Sequence, residues 1–216
     1  SFKMTNEKMT IHQALCELKI LDKRIPALIK DAKFVIENKH SNTKINGISI
    51  EEAKNDFKAS YDKITDIIKR RKAIKRAVTL SNAETEVTIQ GMKLTIAEAI
   101  EYKNHGIEFE EELVKHMSRQ LKNAQDRCNY ENGETLQERA DEYVLGMFGS
   151  KDGKAVTKEI EEAKAAFIKA NTFEIIEGFD TAEIISDLVD RIDKFKIDFD
   201  SAISVSNAIT EIEISY

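Results

Sequence analysis

Proline is nearly absent from this chain, with one in 216 residues, and only eight glycines accompany it. So few breakers, set among abundant Ala, Glu, Lys and Ile, favour long helices. Cysteine is scarce too: Cys16 and Cys128 form no CxxC spacing and have no histidine motif beside them. That points to a reduced, cytoplasmic protein (the host cytoplasm if phage-encoded). No apolar run approaches the roughly 18 residues of a membrane span, and the first residues lack the apolar stretch of a signal peptide. Gly-x-Ser-x-Gly, Walker and Gly-x-Gly-x-x-Gly motifs are all missing, so the chain reads as a non-enzyme without a cofactor. A net charge of −6 gives no general attraction to nucleic acid or acidic lipid. Any anion site must therefore be local.

What is present is enough for a globular core: 41% hydrophobic and 33% charged residues exclude both disorder and a membrane protein. Four helix starts share one design, at Met9-Thr10-Ile11-His12-Gln13, Ile48-Ser49-Ile50-Glu51-Glu52, Leu94-Thr95-Ile96-Ala97-Glu98 and Phe179-Asp180-Thr181-Ala182-Glu183. Each places Ser, Thr or Asp at the N-cap and Glu or Gln three residues on, so that each side chain satisfies the other residue's amide.

Periodicity then lays out the helices. The first is predicted over Ile11 to Glu37, with Ile11, Leu18, Ile25 and Ala32 and also Ala14, Leu21, Leu28 and Val35 at heptad spacing, and with a kink at Pro26. A second runs from Ile50 to about Leu80. A third starts at Ile96, breaks near Gly106 and resumes through Leu113. Shorter helices fall at about 135–148 and 157–170, and a last one runs from Thr181 to about Ile203.

An internal repeat is the strongest single feature. Ala77-Val78-Thr79-Leu80-Ser81-Asn82-Ala83-Glu84-Thr85-Glu86-Val87-Thr88-Ile89 returns as Ala202-Ile203-Ser204-Val205-Ser206-Asn207-Ala208-Ile209-Thr210-Glu211-Ile212-Glu213-Ile214, identical at seven of thirteen positions. Ile45-Asn46-Gly47-Ile48-Ser49 likewise answers Ile176-Glu177-Gly178-Phe179-Asp180. Each copy reads strand, Gly turn, long helix, Ser-Asn-Ala turn, strand, over residues 43–90 and 172–216. A helix of about 30 residues spans roughly 45 Å, so one copy's two strands cannot pair with each other. The expectation is a mainly α fold: an elongated antiparallel helical bundle with small β elements at its ends. Residues 1–8 are expected to be a disordered tag remnant and 9–216 a single domain. The segments 86–89 and 211–214 should be neighbours, 44–46 should lie near 174–177, and Asn82 and Asn207 should sit in turns.

Two strings carry a family resemblance: Met9-Thr10-Ile11-His12-Gln13-Ala14-Leu15 opening a heptad helix, and Ser81-Asn82-Ala83, Thr85, Val87, then Gly91-Met92-Lys93-Leu94-Thr95-Ile96-Ala97-Glu98-Ala99. Over roughly residues 8–125 the chain resembles the septicolysin-like helical proteins of bacteria and phages. The resemblance implies a helical bundle of phage or mobile-element origin, and it carries over no catalytic residue.

Candidate chemistry is sparse. Of His12, His40, His105 and His116 only His40 stands in a Glu-x-x-His spacing, after Glu37, where a bundle metal site draws such pairs from two helices, and the row Asp187, Asp190, Asp193 lies in no calcium loop, so no metal site is expected. The run Lys69-Arg70-Arg71-Lys72-Ala73-Ile74-Lys75-Arg76 stands out in an acidic chain. Arg71 lies on the apolar stripe between Ile64 and Val78 and needs a partner there. That partner is either a carboxylate of a neighbouring helix or an anionic ligand held by Arg71 and Lys75, with Lys72, Arg76 and Lys69 contributing. Two functions follow. One is a non-enzymatic phage-type protein sequestering an anionic small molecule, such as a nucleotide immune signal. The other is a structural or adaptor protein of a phage particle acting through helical interfaces. Self-association fits both, and direct nucleic-acid binding fits poorly, because the cations wind around the helix.

Overall fold

The computed structural model describes residues 6–149 and 157–216. Along the chain run β1 (Asn6–Thr10), α1 (Ile11–Asp31), β2 (Lys44–Ile45), β3 (Ile48–Ser49), α2 (Ile50–Glu84), β4 (Glu86–Ile89), β5 (Met92–Thr95) and α3 (Ile96–Glu101). A π-helical turn at Tyr102–Gly106 leads into α4 (Ile107–Glu131), followed by α5 (Glu134–Phe148), α6 (Thr157–Asn171), α7 (Thr181–Ile209) and β6 (Glu211–Ser215). The fold is mainly helical with short antiparallel strand pairs, β1 with β6, β2 with β3 and β4 with β5. The chain divides into two compact units. One runs to Asn104 and resumes at Phe195, and the other spans His105–Lys194.

The helix starts follow the capping pattern. Thr10, Ser49 and Thr95 each accept from the N3 amide while Gln13, Glu52 and Glu98 answer the cap amide, closing three capping boxes. Asp180 Oδ1 accepts from the Glu183 amide at 3.1 Å. Pro26 sits inside α1, which continues past it to Asp31. The helix ends six residues before Glu37, and the heptad's last apolar residue, Val35, gains little from burial there, being 83% exposed.

Several expectations need correction. Asn82 and Asn207 are helical: α2 and α7 run on through Ser-Asn-Ala, because nothing there breaks the i to i−4 ladder. The helices stop at Thr85 and Thr210, whose amides donate to the carbonyls of Ser81 and Ser206. Residues 6–8 belong to β1 and not to a tail. The segments 86–89 and 211–214 come close, Glu86–Thr88 and Thr210 bordering one cavity, but they form no strand pair with each other: β4 pairs with β5, and β6 with β1. No strand forms at 174–177. Its counterpart at 45–48 turns through Asn46 and Gly47, both at positive φ, whereas the Glu177 side chain is drawn forward to accept from the Thr181 amide. Near Gly106 the chain stays helical through one π turn.

The core of the first unit gathers Met9 and Ile11, then Ala14, Leu18 and Leu21 of α1, Ile74 and Val78 of α2, and Ile212 and Ile214 of β6. Burying each large aliphatic stabilises by about 1.5–3 kcal/mol. Tyr102 meets the Phe195 ring edge-on at 4.7 Å in the same unit. In the second unit Leu136, Ala140 and Val144 of α5 are buried, and Tyr143 stacks on Phe167 of α6 at 4.8 Å.

Candidate functional site

The middle of α2 carries six cations in eight residues, and the helix sends them to two different faces. Arg70 stands three residues after Ile67 and four before Ile74, so it shares their inward stripe. Its guanidinium is the most enclosed charge of the run, with its side chain 21% exposed. Nε donates to Glu17 Oε1 at 2.5 Å and Nη2 to Glu17 Oε2 at 3.0 Å. Nη1 donates to Glu7 Oε2 at 2.7 Å and to the Tyr216 hydroxyl at 2.9 Å, and Nη2 reaches Glu7 Oε1 at 3.2 Å. One side chain thus ties α2 to α1, to β1 and to the residue after β6. The hydrogen bonds to Glu17 and then Glu7 hold the guanidinium far above its ordinary range, and the same contact pulls the Glu7 carboxyl below its own.

Arg71 takes the other face. Its Nε donates to Asp22 of α1 at 2.5 Å, with both side chains partly exposed. The carboxylate partner expected for Arg71 therefore exists, but as a surface pair worth about 0–1 kcal/mol. The enclosed pairing belongs to Arg70. Heptad counting missed this because a straight helix drifts from 3.5 towards 3.6 residues per turn, which brings position 70 onto the seam beside 71. The signal available in the sequence was the i+3, i−4 relation to Ile67 and Ile74.

Arg71, Lys72, Lys75 and Arg76 line one open groove of about 490 Å³ together with Ile68, Thr79 and Leu80. Lys69 does not line it. Four of the five cations singled out from the sequence are thus brought together, all on one helix. Among the described residues, Lys72, Lys75 and Arg76 meet no carboxylate at ion-pair distance. Ile68 and Leu80, both substantially exposed, cap the groove at its ends. Twelve residues separate them, about 18 Å along the axis. A planar guanidinium and three ammonium or guanidinium heads over that length can hold two or more phosphate or carboxylate groups, with apolar contact at either end.

A second cavity of about 560 Å³ lies where Thr85–Thr88 faces the C-terminal turns of α7, bordered by Ser201, Val205 and Ile209. Asp198 is its one charged side chain besides Glu86, so it does not suit an anion. Among the described residues no group of three or more His, Cys, Asp or Glu side chains is placed to hold a metal. His116 Nδ1 pairs with Arg119 Nη2 at 2.9 Å. No helix among the described residues is long and apolar enough to cross a membrane. Comparison with known proteins finds no family model, no curated protein and no solved structure that matches the chain.

Proposed function

We propose that this is a non-enzymatic binding protein that takes an anionic small molecule along the outer groove of α2. One observation carries the reading: four cations line a single groove and three of them have no carboxylate partner among the described residues. Like charges at i, i+4 cost a helix about 0.2–0.5 kcal/mol per pair, and an anion laid across them removes that repulsion. Arg71 and Lys75 form the central pair of contacts, with Lys72 and Arg76 beside them. The groove favours a phosphorylated molecule with apolar parts, such as a nucleotide. With the resemblance to septicolysin-like proteins we read such sequestration as belonging to a phage setting, and a nucleotide signal of host immunity as its ligand class.

The repeat belongs to the same proposal. We read the stretches Ser81–Ala99 and Ser206–Tyr216 with Asn6–Ala14 as two versions of one ancestral unit. Matching hydrogen bonds support this: Thr85 to Ser81 and Thr210 to Ser206, then Ile96 to Thr85 and Ile11 to Thr210, all amide to carbonyl and within 2.8–2.9 Å.

A second reading, an adaptor working through helical interfaces, is favoured by the row Ile197, Val205, Ile209 on α7. These side chains are 71%, 60% and 75% exposed at helical spacing.

Calorimetry with a panel of mono- and dinucleotides and with inorganic phosphate separates the two. Saturable binding that falls tenfold or more in Arg71→Met or Lys75→Met, as expected for losing a charged contact worth roughly 1.5–3 kcal/mol, supports the groove. Arg71→Met should cost the fold under about 1 kcal/mol, because the Asp22 pair is solvated. A panel with no saturable binder leaves the adaptor.

A further inference from the structure

The strands β1 and β6 form one continuous antiparallel pair, five residues against five, from Asn6 opposite Ser215 to Thr10 opposite Glu211. Their counterpart is the hairpin of β4 and β5, from Glu86 opposite Thr95 to Ile89 opposite Met92. The two pairs agree in register at their helix ends, since Glu86 faces the cap residue Thr95 and Glu211 faces the cap residue Thr10. They agree in burial, with Ile89 and Ile214 both enclosed. They differ in connection. Gln90 and Gly91, at φ +50° and +74°, join β4 to β5, whereas about two hundred residues separate β1 from β6.

The segment that carries β6 returns to the first unit only at Phe195, after the whole of the second unit. Its contacts there include Ile212 and Ile214 in the core and the Tyr216 hydroxyl on Arg70. Every one of these could be made by the same segment of a second copy, with no new surface required. A two-residue turn holds its strands at very high effective concentration, so the hairpin cannot be displaced. A connection of two hundred residues holds its strand far more weakly, and another copy can compete.

We propose that Phe195–Tyr216 is an exchangeable segment, and that its partner is a second copy of this chain, each copy's β6 completing the other's β1. Exchange of identical contacts is a low-cost route to a dimer. The proposal is independent of the α2 groove.

Lys8 and Glu213 face each other across the pair and are both exposed. A Lys8→Cys, Glu213→Cys chain with Cys16→Ser and Cys128→Ser can close a disulfide at that position, since facing strand residues fall within disulfide reach. The full chain is unfolded in reductant, refolded over a range of concentrations, oxidised, and mapped by peptide mass. The expected result is an 8–213 link between two chains, its ratio to the link within one chain rising about tenfold for each tenfold in concentration while dimer is the minor species. Lys8→Cys or Glu213→Cys alone should give no such rise. An 8–213 link found only within single chains at every concentration would overturn the proposal, as would the absence of any 8–213 link.

Discussion

The β4–β5 hairpin and the β1–β6 pair solve one structural problem with different supports. In the hairpin the turn does most of the work: Gln90 and Gly91 at positive φ set the register as a type I′ turn does. The only ion pair across the strands, Lys93 with Glu86 at 2.9 Å, is largely in solvent. In the split pair no turn helps. Were pairing alone to close a loop a hundred times longer, the added entropy would cost about 4 kcal/mol. Tertiary contact offsets it, through four core residues from the two strands and their flank (Met9, Ile11, Ile212 and Ile214) and through Arg70 gripping Glu7 and Tyr216. A local pair can be held by backbone geometry, and a non-local one has to be held by side chains.

The sharpest way to break that comparison is to empty its core on each side. Ile89→Ala and Ile214→Ala each remove a fully buried side chain, and each should cost about 2–5 kcal/mol. In urea denaturation, Ile214→Ala should show the larger loss, because its strand has no turn to keep it in place. Equal losses would mean that the turn adds nothing to the hairpin's hold.

Arg70→Met comes next. It leaves Glu7 and Glu17 facing each other without their cation, and since both carboxylates are partly exposed the cost should be about 2 kcal/mol, below that of a fully buried pair. The hairpin has no equivalent residue to lose. The Glu7 carboxyl is held below its ordinary value of 4.5 by Arg70. Its contribution is therefore complete above that pH and is lost as pH falls through the lowered value. Thermal melting from pH 7 to pH 3 should show a loss in the wild type, below about pH 4.5, that is smaller in Arg70→Met. The same acid slope in both proteins would remove Glu7 from the clasp.

Much of this was legible in the residues themselves. Capping boxes are local chemistry, and Thr10, Ser49 and Thr95 cap where the pattern places them. Helix stripes were readable too, so Ile11, Ala14, Leu18 and Leu21 are buried as their spacing requires. Strand partners were not, because Glu86–Ile89 and Glu211–Ile214 are nearly the same string, and sequence likeness suggests kinship without saying which segment each will meet. The candidate site was legible as a cluster and misassigned in detail. Whether Arg70 or Arg71 turns inward depends on a drift of a few degrees per turn, and the partners Glu7 and Tyr216 lie far away in sequence.

The smallest expected effect tests the ends of the two long helices, where the repeat is most nearly identical. Asn82 and Asn207 look like turn residues in a Ser-Asn-Ala string, but both have helical neighbours on each side. The polar closure of each helix is made elsewhere, by Ser81 Oγ with Thr85 Oγ1 at 3.3 Å and by Ser206 Oγ with Thr210 Oγ1 at 3.4 Å. Asparagine in a helix interior is less favourable than alanine by at most about 0.7 kcal/mol, because its side chain competes for backbone hydrogen bonds. Asn82→Ala and Asn207→Ala should therefore each leave the protein unchanged or stabilise it by a few tenths of a kcal/mol, and by the same amount on both sides. Ser206→Ala, at a buried hydroxyl, should do the opposite and cost about 1 kcal/mol. Urea midpoints on the three variants decide the matter. A loss of 1 kcal/mol or more at either asparagine would show that its side chain holds the helix end, and would return the Ser-Asn-Ala string to the role of a turn.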